Sequence, residues 1–360
     1  MFADLIGNDR VKKLLQRMFQ SSRLPGAMLF SGEDGVGKKL FALEIARALN
    51  CRSPQGVEAC GTCPACKRTL NINYPASDES DDWKGIIWTD HPDVGLVVAP
   101  KRVLLVDQMR AIENAANYRP FEGKARVFIV EDADKLNENS ANALLKILEE
   151  PPPTSHLILL TSRPAWLLPT IRSRCQVIRF SPLAAAEIEN HLTQNKIASA
   201  AEARVRARVA RGSLSRALAE DMDDFLEQRK AMLEVLAGLV RSDGRLQLLR
   251  SAEQLNEAQY KDEYEARLDV LETLIRDLWL LSLDAEDVGI IVNEDVLPEL
   301  KGMAKGLDSK RPASWIGQIE EMREQLVVNI NRKPATDALF LTMAAASATE
   351  LPPKRRYIVK

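Results

Sequence analysis

Short apolar runs alternate with amphipathic patterns in the first part of the chain. Five runs predict strands, at residues 27–30, 94–98, 125–130, 157–161 and 177–180, and the first of these is expected to be buried. Helical spacing of apolar residues predicts helices at 9–21, 39–50 and 140–149, and the last of these stops before Pro151. Strands that alternate with helices predict a largely parallel α/β sheet.

Beyond residue 183 the strand signals end. Residues 184–220 predict a small set of helices, and the pattern from 225 to about 350 is helical throughout. One helical stripe within 262–284 has the breadth of a core or subunit interface, and it consists of Leu268, Leu271, Leu274, Ile275, Leu278 and Leu281. We therefore expect three domains: an α/β module at 1–180, a helical lid at 181–222 and an all-α domain at 223–360.

The composition is that of an ordinary globular chain. Of 360 residues, 46% are hydrophobic and 28% are charged. No stretch approaches the roughly 18 apolar residues of a membrane span, so we expect no membrane association. A formal net charge of −2 and a pI near 6.1 argue against a chain built mainly to coat nucleic acid. The first residues lack the pattern of a signal peptide, so we expect a reducing, cytoplasmic location.

Four of the five cysteines lie close together, in the pattern C-x8-C-x2-C-x2-C. Four thiolates at such short spacing can surround one Zn²⁺ ion. The alternatives are two disulfides, which a reducing compartment disfavours, or four unrelated core cysteines, which would not cluster in this way. A catalytic zinc keeps an open position and usually has histidine ligands. We therefore predict a structural zinc held by Cys51, Cys60, Cys63 and Cys66.

A glycine-rich segment, residues 32–39 (GEDGVGKK), follows the first predicted strand and opens the next helix. This is the context of a Walker A loop, whose backbone N–H groups and lysine contact phosphates. The last position departs from the pattern, because Lys39 stands where a Ser or Thr hydroxyl would ligate Mg²⁺. We predict a degenerate phosphate loop with Gly32, Gly35, Gly37 and Lys38 as its phosphate-facing residues.

The partner motif also departs from the expected pattern. Residues 127–130 form the apolar run of a Walker B strand, which should end in Asp-Glu but here ends in Glu131-Asp132. A misplacement of roughly 1 Å can cost about a hundredfold in rate. Two departures at one metal predict a fold derived from an ATPase in which Mg²⁺-dependent hydrolysis is lost or very weak. These departures do not determine whether a nucleotide still binds to the loop. The alternative interpretation is a fully active ATPase with an unusual motif.

Two further motifs resemble those of clamp-loader ATPase subunits of the AAA+ superfamily. Residues 139–152 (NSANALLKILEEPP) resemble the family signature N-A-L-L-K-x-L-E-E-P-P, and Ser173-Arg174-Cys175 resembles its S-R-C motif. With the opening FADLIGNDRV and the four cysteines, the resemblance spans residues 1 to about 220 and fades to a general likeness beyond. It implies an AAA+ (P-loop NTPase-like) module with a zinc-binding insertion at 51–66, a lid, and an all-α collar domain that assembles a five-subunit arc.

The departures resemble those of delta-prime subunits of bacterial DNA polymerase III, whereas gamma/tau motor subunits keep both nucleotide motifs intact. The resemblance implies a stationary subunit, without significant ATPase activity of its own, that assists ATP-driven loading of the sliding clamp onto primed DNA. Gamma/tau and delta would be its partners in a hetero-pentameric arc in the bacterial cytoplasm. The alternative is an ATP-hydrolysing gamma/tau-type motor. A standalone zinc-bearing DNA-binding protein is disfavoured by the acidic balance.

The resemblance gives Arg174 a role in trans. The S-R-C arginine of this family faces the ATP of the neighbouring subunit, and a planar, permanently charged guanidinium suits a transferring phosphoryl group. The alternative is a surface or salt-bridging arginine. Active subunits also place an arginine directly after Gly-Ser-Leu in the lid, but here Ser215 follows and Arg216 comes one place late. That shift turns the side chain by about 100° on a helix.

Overall fold

The computed structural model describes residues 1–75, 81–100, 103–219, 222–241, 244–257, 263–283, 291–327 and 331–345. The chain forms two compact units, Met1–Ala219 and Glu220–Lys360. Residues 346–360 of the expected collar domain lie outside the described residues.

A six-stranded sheet organises the first unit. Its strands are β1 (Ala27–Ser31), β2 (Ile87–Trp88), β3 (Val94–Val97), β4 (Arg126–Val130), β5 (Ser155–Thr161) and β6 (Gln176–Arg179). The order is β2-β3-β4-β5-β1-β6, and every neighbouring pair is parallel except β2 with β3. The five strands expected from apolar runs are confirmed. Strand β2 was not predicted, because two residues are too few to show a period.

Helices cover both faces of this sheet. They are α1 (Asp9–Gln20), α2 (Lys38–Asn50), α3 (Pro64–Arg68), α4 (Val106–Ala116), α5 (Glu138–Glu149) and α6 (Pro169–Arg172). Side chains of β1 alternate between the faces, as the two-residue period of a strand requires. Met28 and Phe30 pack with buried residues of α1 and α2, whereas Ala27 and Leu29 pack with those of α4 and α5. The predicted α/β class is therefore confirmed.

Three short helices complete the first unit: α7 (Ala185–Gln194), α8 (Ala200–Val209) and α9 (Leu214–Ala219). Apolar residues such as Ile188, Leu192 and Ala207 form a small core of their own. Gly212 joins α8 to α9 with φ of 83°, and a side chain there would collide with Pro182 and Leu183. The helical pattern predicted after residue 183 is confirmed.

The described part of the second unit is helical. Its helices are α10 (Met222–Val240), α11 (Arg245–Leu255), α12 (Tyr264–Ser282), α13 (Leu297–Ala304), α14 (Lys310–Val327) and α15 (Arg332–Ala345). Helix α12 packs against α10, α13 and α14. The leucine stripe predicted there is core: Leu268, Leu271, Leu274, Ile275 and Leu278 are buried, and Leu281 is half-buried. No described helix is both long and apolar enough to cross a membrane.

Candidate functional site

The glycine-rich segment forms a tight loop between β1 and α2. Gly35 and Gly37 have φ of 78° and 97°, which favours glycine over residues with a side chain. A Cβ atom on Gly32 would lie 2.7 Å from the Phe180 carbonyl oxygen, so this position also requires glycine. The loop therefore has the backbone of a phosphate-binding turn at the N-terminus of a 13-residue helix.

Lys38 turns back into this loop. Its Nζ donates to the carbonyl oxygens of Gly32 at 2.5 Å and Glu33 at 2.8 Å, and it lies 3.5 Å from an Asp34 carboxylate oxygen. The side chain is buried, and burial lowers the pKa of this lysine despite the nearby Asp34 charge. Two of its three ammonium donors are thus held by the loop itself.

Lys39 and Glu131 form an ion pair across this site. The Lys39 Nζ lies 2.7 Å from Glu131 Oε1 and also donates to the Tyr74 hydroxyl. Burial acts to lower the pKa of Lys39, but the Glu131 charge and these hydrogen bonds raise it overall, so the ammonium is stabilised. The two motif departures therefore contact each other. Lys39 occupies the position of a metal ligand, and its ammonium pairs with the carboxylate of Glu131 at the Walker B position.

Asp132 has a different partner. Its backbone is left-handed, with φ of 48°, and its carboxylate accepts from Lys135 Nζ at 2.9 Å. Asp134 accepts from the Thr161 hydroxyl at 2.6 Å. The two Walker B carboxylates, Glu131 and Asp132, are thus each paired with a different lysine.

A cavity of about 410 Å³ joins the loop, the end of β4 and the start of α9. Its volume falls in the range of small-molecule sites. Ser213 packs so close to Gly35 that a Cβ there would lie 2.0 Å from the serine hydroxyl, and the Ser215 N–H donates to the Gly35 carbonyl at 3.4 Å. Ser215 lines the cavity, whereas the exposed Arg216 is outside its lining.

Arg174 lies in the turn between α6 and β6. Its side chain is 33% exposed, and Nη2 lies 2.6 Å from Glu149 Oε1 while Nη1 donates to the Thr170 carbonyl at 3.0 Å. The next residue, Cys175, is buried in the core on the α4 and α5 face, and burial raises the pKa of its thiol to about 12. Cys175 is therefore a small core residue that holds this turn against the sheet.

The strand register separates Arg174 from the phosphate loop. Strand β6 runs parallel to β1, with Gln176 opposite Met28 and Arg179 opposite Ser31. Arg174 precedes the first of these pairs and the glycine loop follows the last, so they lie at opposite ends of the sheet. Four residues of strand span about 13 Å.

The four clustered cysteines converge on one point. Their sulfur atoms all lie within 4.8 Å of one another, and the Cys51–Cys63 and Cys60–Cys66 separations are 4.0 Å. Disulfide-bonded sulfurs lie about 2.05 Å apart, so these are free thiols. Tetrahedral Zn–S bonds of about 2.3 Å place sulfurs about 3.8 Å apart, which these separations fit. The Cys63 N–H donates to the Cys60 sulfur, and backbone hydrogen bonding lowers the pKa of Cys60 to about 6.

Polar contacts fix this cysteine cluster to the rest of the first unit. Gln16 of α1 donates to Glu58 at 2.6 Å. Arg68 of α3 pairs with Glu122 on the loop after α4, and Arg52 lies 3.5 Å from the same carboxylate group. The cluster therefore connects α1 with the segment that leads into β4.

Sequence reasoning missed several partners of the candidate residues. Tyr74 contacts Lys39, and Glu149 contacts Arg174. Each pair is separated by at least 25 residues in the chain, so no local sequence pattern predicted these contacts. Glu149 was visible only as part of the L-E-E-P-P segment. Ser213 lay within the Gly-Ser-Leu segment, whose sequence did not indicate a contact with Gly35.

Together these features define a class: a P-loop-type α/β module with its metal-positioning residues replaced, followed by helical elements. Family models described as "DNA polymerase III, delta subunit" and "DNA polymerase III, delta subunit, C terminal" match residues 7–184 and 223–335. DNA polymerase III subunit delta' of Escherichia coli is moreover a whole-length relative at 31% identity, and the chain therefore belongs to the DNA polymerase III delta-prime subunit family.

The family membership rests on relatives that match this chain over nearly their whole length. DNA polymerase III subunit delta' of Escherichia coli is 31% identical over 329 residues, covering 90% of each chain. The subunit delta' of Bacillus subtilis is 28% identical over 334 residues, covering 93% of this chain and 95% of the relative. The tau/gamma subunit of Haemophilus influenzae is 33% identical over 218 residues, but these cover 59% of this chain and 29% of that protein. The delta-prime hypothesis is confirmed, and the gamma/tau alternative corresponds to a partial match.

Proposed function

We propose that this chain is a stationary clamp-loader subunit that supplies Arg174 in trans to the ATP site of a neighbouring subunit. In this proposal it assists the ATP-driven loading of a sliding clamp onto primed DNA. The guanidinium would stabilise the charge that develops on the γ-phosphoryl group, which is the role of an arginine finger. Arg174 would be the one residue of this chain that takes part in the chemistry.

The position of Arg174 carries the proposal. The arginine precedes β6, at the end of the sheet opposite its own glycine loop, so its own cavity is out of reach. It is partly exposed on a turn that the buried Cys175 anchors to the core. A partly exposed guanidinium that is out of reach of its own cavity suits a partner's phosphate better than a site within its own chain.

The chain's own cavity supports a subunit that supplies an arginine to its neighbour but does not itself hydrolyse ATP. Gly32, Gly35, Gly37 and Lys38 keep the form of a phosphate loop and would hold nucleotide phosphates if any bind. At the metal position, however, the Lys39 ammonium is paired with Glu131, and an ammonium cannot coordinate Mg²⁺. Asp132, the second Walker B residue, is paired with Lys135. We propose that this site does not catalyse Mg²⁺-dependent hydrolysis.

We also propose that Cys51, Cys60, Cys63 and Cys66 hold one structural zinc. The sulfur separations fit a tetrahedral site, and four thiolate ligands leave no open position for catalysis. The ion would rigidify the insertion at 51–66 and, through Glu58 and Glu122, its contacts with α1 and the loop before β4.

The proposed assembly is a hetero-pentameric arc with gamma/tau and delta subunits in the bacterial cytoplasm. The partial matches to subunits named tau/gamma and tau support the gamma/tau partner. The division proposed for the chain is an AAA+ module at 1–180, a lid at 181–222 and a collar at 223–360. Contacts with the clamp and with primed DNA would arise through the complex.

The decisive experiment replaces Arg174 in a reconstituted loader. We expect Arg174→Ala to leave assembly intact and to lower the DNA-stimulated ATPase rate by at least about tenfold, since trans arginines contribute about 10³–10⁵ in GTPases. Arg174→Lys should retain little of the DNA-stimulated ATPase rate, because an ammonium lacks the planar fork of a guanidinium. The matched control is Arg172→Ala, an exposed arginine at the end of α6. Unchanged hydrolysis and clamp loading with Arg174→Ala would refute the role.

A further inference from the structure

The guanidinium of Arg174 is held by two protein groups. Glu149 Oε1 lies 2.6 Å from Nη2, and the Thr170 carbonyl accepts from Nη1 at 3.0 Å. We infer that Glu149 is a positioning residue, which orients Arg174 before it meets the phosphates of the neighbouring subunit. This inference rests on the trans role proposed for Arg174.

Glu149 is well placed to act in this way because its backbone is fixed. It is the last residue of α5, a helix that buries Leu144, Ile147 and Leu148 against the sheet. The chain cannot continue as a helix past this point, since Pro151 and Pro152 follow. The side chain itself remains half exposed, so its carboxylate reaches the surface from a rigid base.

The second anchor lies on another element. Thr170 belongs to α6, which packs against α5. Arg174 is therefore held from two sides by adjacent elements, one through a charged group and one through a backbone carbonyl. These contacts occupy two of the five guanidinium donors, which leaves the others for an incoming phosphate.

The expected benefit is preorganisation. A free arginine side chain samples many rotamers, and the fraction that faces a phosphate correctly is small. Fixing the guanidinium in advance raises that fraction and speeds the step in which the arginine acts. A contrary role is conceivable on charge alone, in which Glu149 neutralises Arg174 and acts as a brake. The two roles predict opposite changes in kcat when Glu149 is removed, a fall for positioning and a rise for a brake.

Glu149→Ala and Glu149→Gln separate the two roles in a reconstituted loader with DNA-stimulated ATPase as the readout. If Glu149 positions the arginine, Glu149→Ala lowers kcat by about three- to tenfold and leaves the KM for ATP nearly unchanged. Glu149→Gln retains most of the rate, because its amide oxygen still accepts the hydrogen bond. Glu150→Ala, a change at the adjacent exposed glutamate, is the matched control and leaves kcat unchanged.

A double variant tests whether Glu149 acts through Arg174. Arg174→Ala combined with Glu149→Ala should be no slower than Arg174→Ala alone, since the positioning residue has nothing left to position. An equal melting temperature of wild type and Glu149→Ala excludes a general loss of structure.

Several outcomes would overturn the inference. An unchanged or faster kcat in Glu149→Ala, in a loader that Arg174→Ala does slow, removes the positioning role and leaves the arginine's role intact. A Glu149→Gln variant as slow as Glu149→Ala assigns the effect to charge and equally contradicts positioning by a hydrogen bond. If Arg174→Ala itself has no effect, the proposed function fails first, and the two failures are thereby distinguished.

Discussion

The Lys39–Glu131 pair predicts a coupled loss of stability when either partner is removed. The two side chains are 31% and 22% exposed, which places the pair between the surface and the interior. Exposed pairs contribute up to about 1 kcal/mol, whereas breaking a buried pair by removing one partner costs about 3–5 kcal/mol. We therefore expect Lys39→Met to lower the free energy of unfolding of the first unit by about 1–3 kcal/mol.

A double-mutant cycle isolates the interaction. Glu131→Gln alone should also be destabilising, since it leaves the Lys39 ammonium without a charged partner, but Lys39→Met with Glu131→Gln should recover part of the loss. We expect a coupling free energy of about 1–2 kcal/mol. Urea denaturation of the isolated chain measures this coupling free energy from the unfolding transition of the first unit. The control is Lys13→Met, a change at an exposed lysine of α1.

The pH dependence of the pair has a definite sign. The pKa of Lys39 is raised above its ordinary value of 10.5. The lysine therefore contributes stability that is fully present below pH 10.5 and is lost as the pH rises through the higher folded-state pKa. The cycle should thus give the same coupling at pH 7 and pH 9. Additive effects of the two substitutions would refute the conclusion that the two motif departures act as one ion pair.

Two further predictions concern the metal and a buried histidine. Purified protein should contain one zinc ion per chain by atomic emission, Cys60→Ser should abolish it and Cys175→Ser should not; a zinc-free wild type would contradict the site. His156 has a lowered pKa because it is buried. The unfolded chain therefore takes up the proton first, and stability should fall by up to about 1.4 kcal/mol per pH unit below pH 6.5. His156→Gln should flatten this slope, and a slope that is unchanged would contradict the assignment.

Many strands and helices of the first unit could be predicted from the local pattern of apolar residues. Apolar runs located β1, β3, β4 and β5, because buried strands of a parallel sheet are largely apolar. A shorter run at 177–180 located the edge strand β6, of which only Ile178 is buried. Strand β2 and the helices α3, α4 and α6 escaped this reasoning. Strand β2 is too short to show a period, and α4 was not predicted although its buried Met109 and Ile112 follow helical spacing. The cysteine spacing predicted a metal site because short loops alone can bring four ligands together, and their convergence is confirmed.

The candidate site shows where local pattern ends. The departures of Lys39 and Glu131 from their motifs could be recognised in the sequence, since each is visible at one position. Their ion pair could not, because it depends on the order of the strands, which brings the end of β4 to the start of α2. In the same way, the S-R-C motif identified Arg174, but the register of β6 against β1 decided which end of the sheet it occupies. The contact with Glu149 likewise required α5 and α6 to pack together. Periodicity acts over a few residues, whereas these contacts join residues 25 or more apart in the chain and depend on how the whole sheet is assembled.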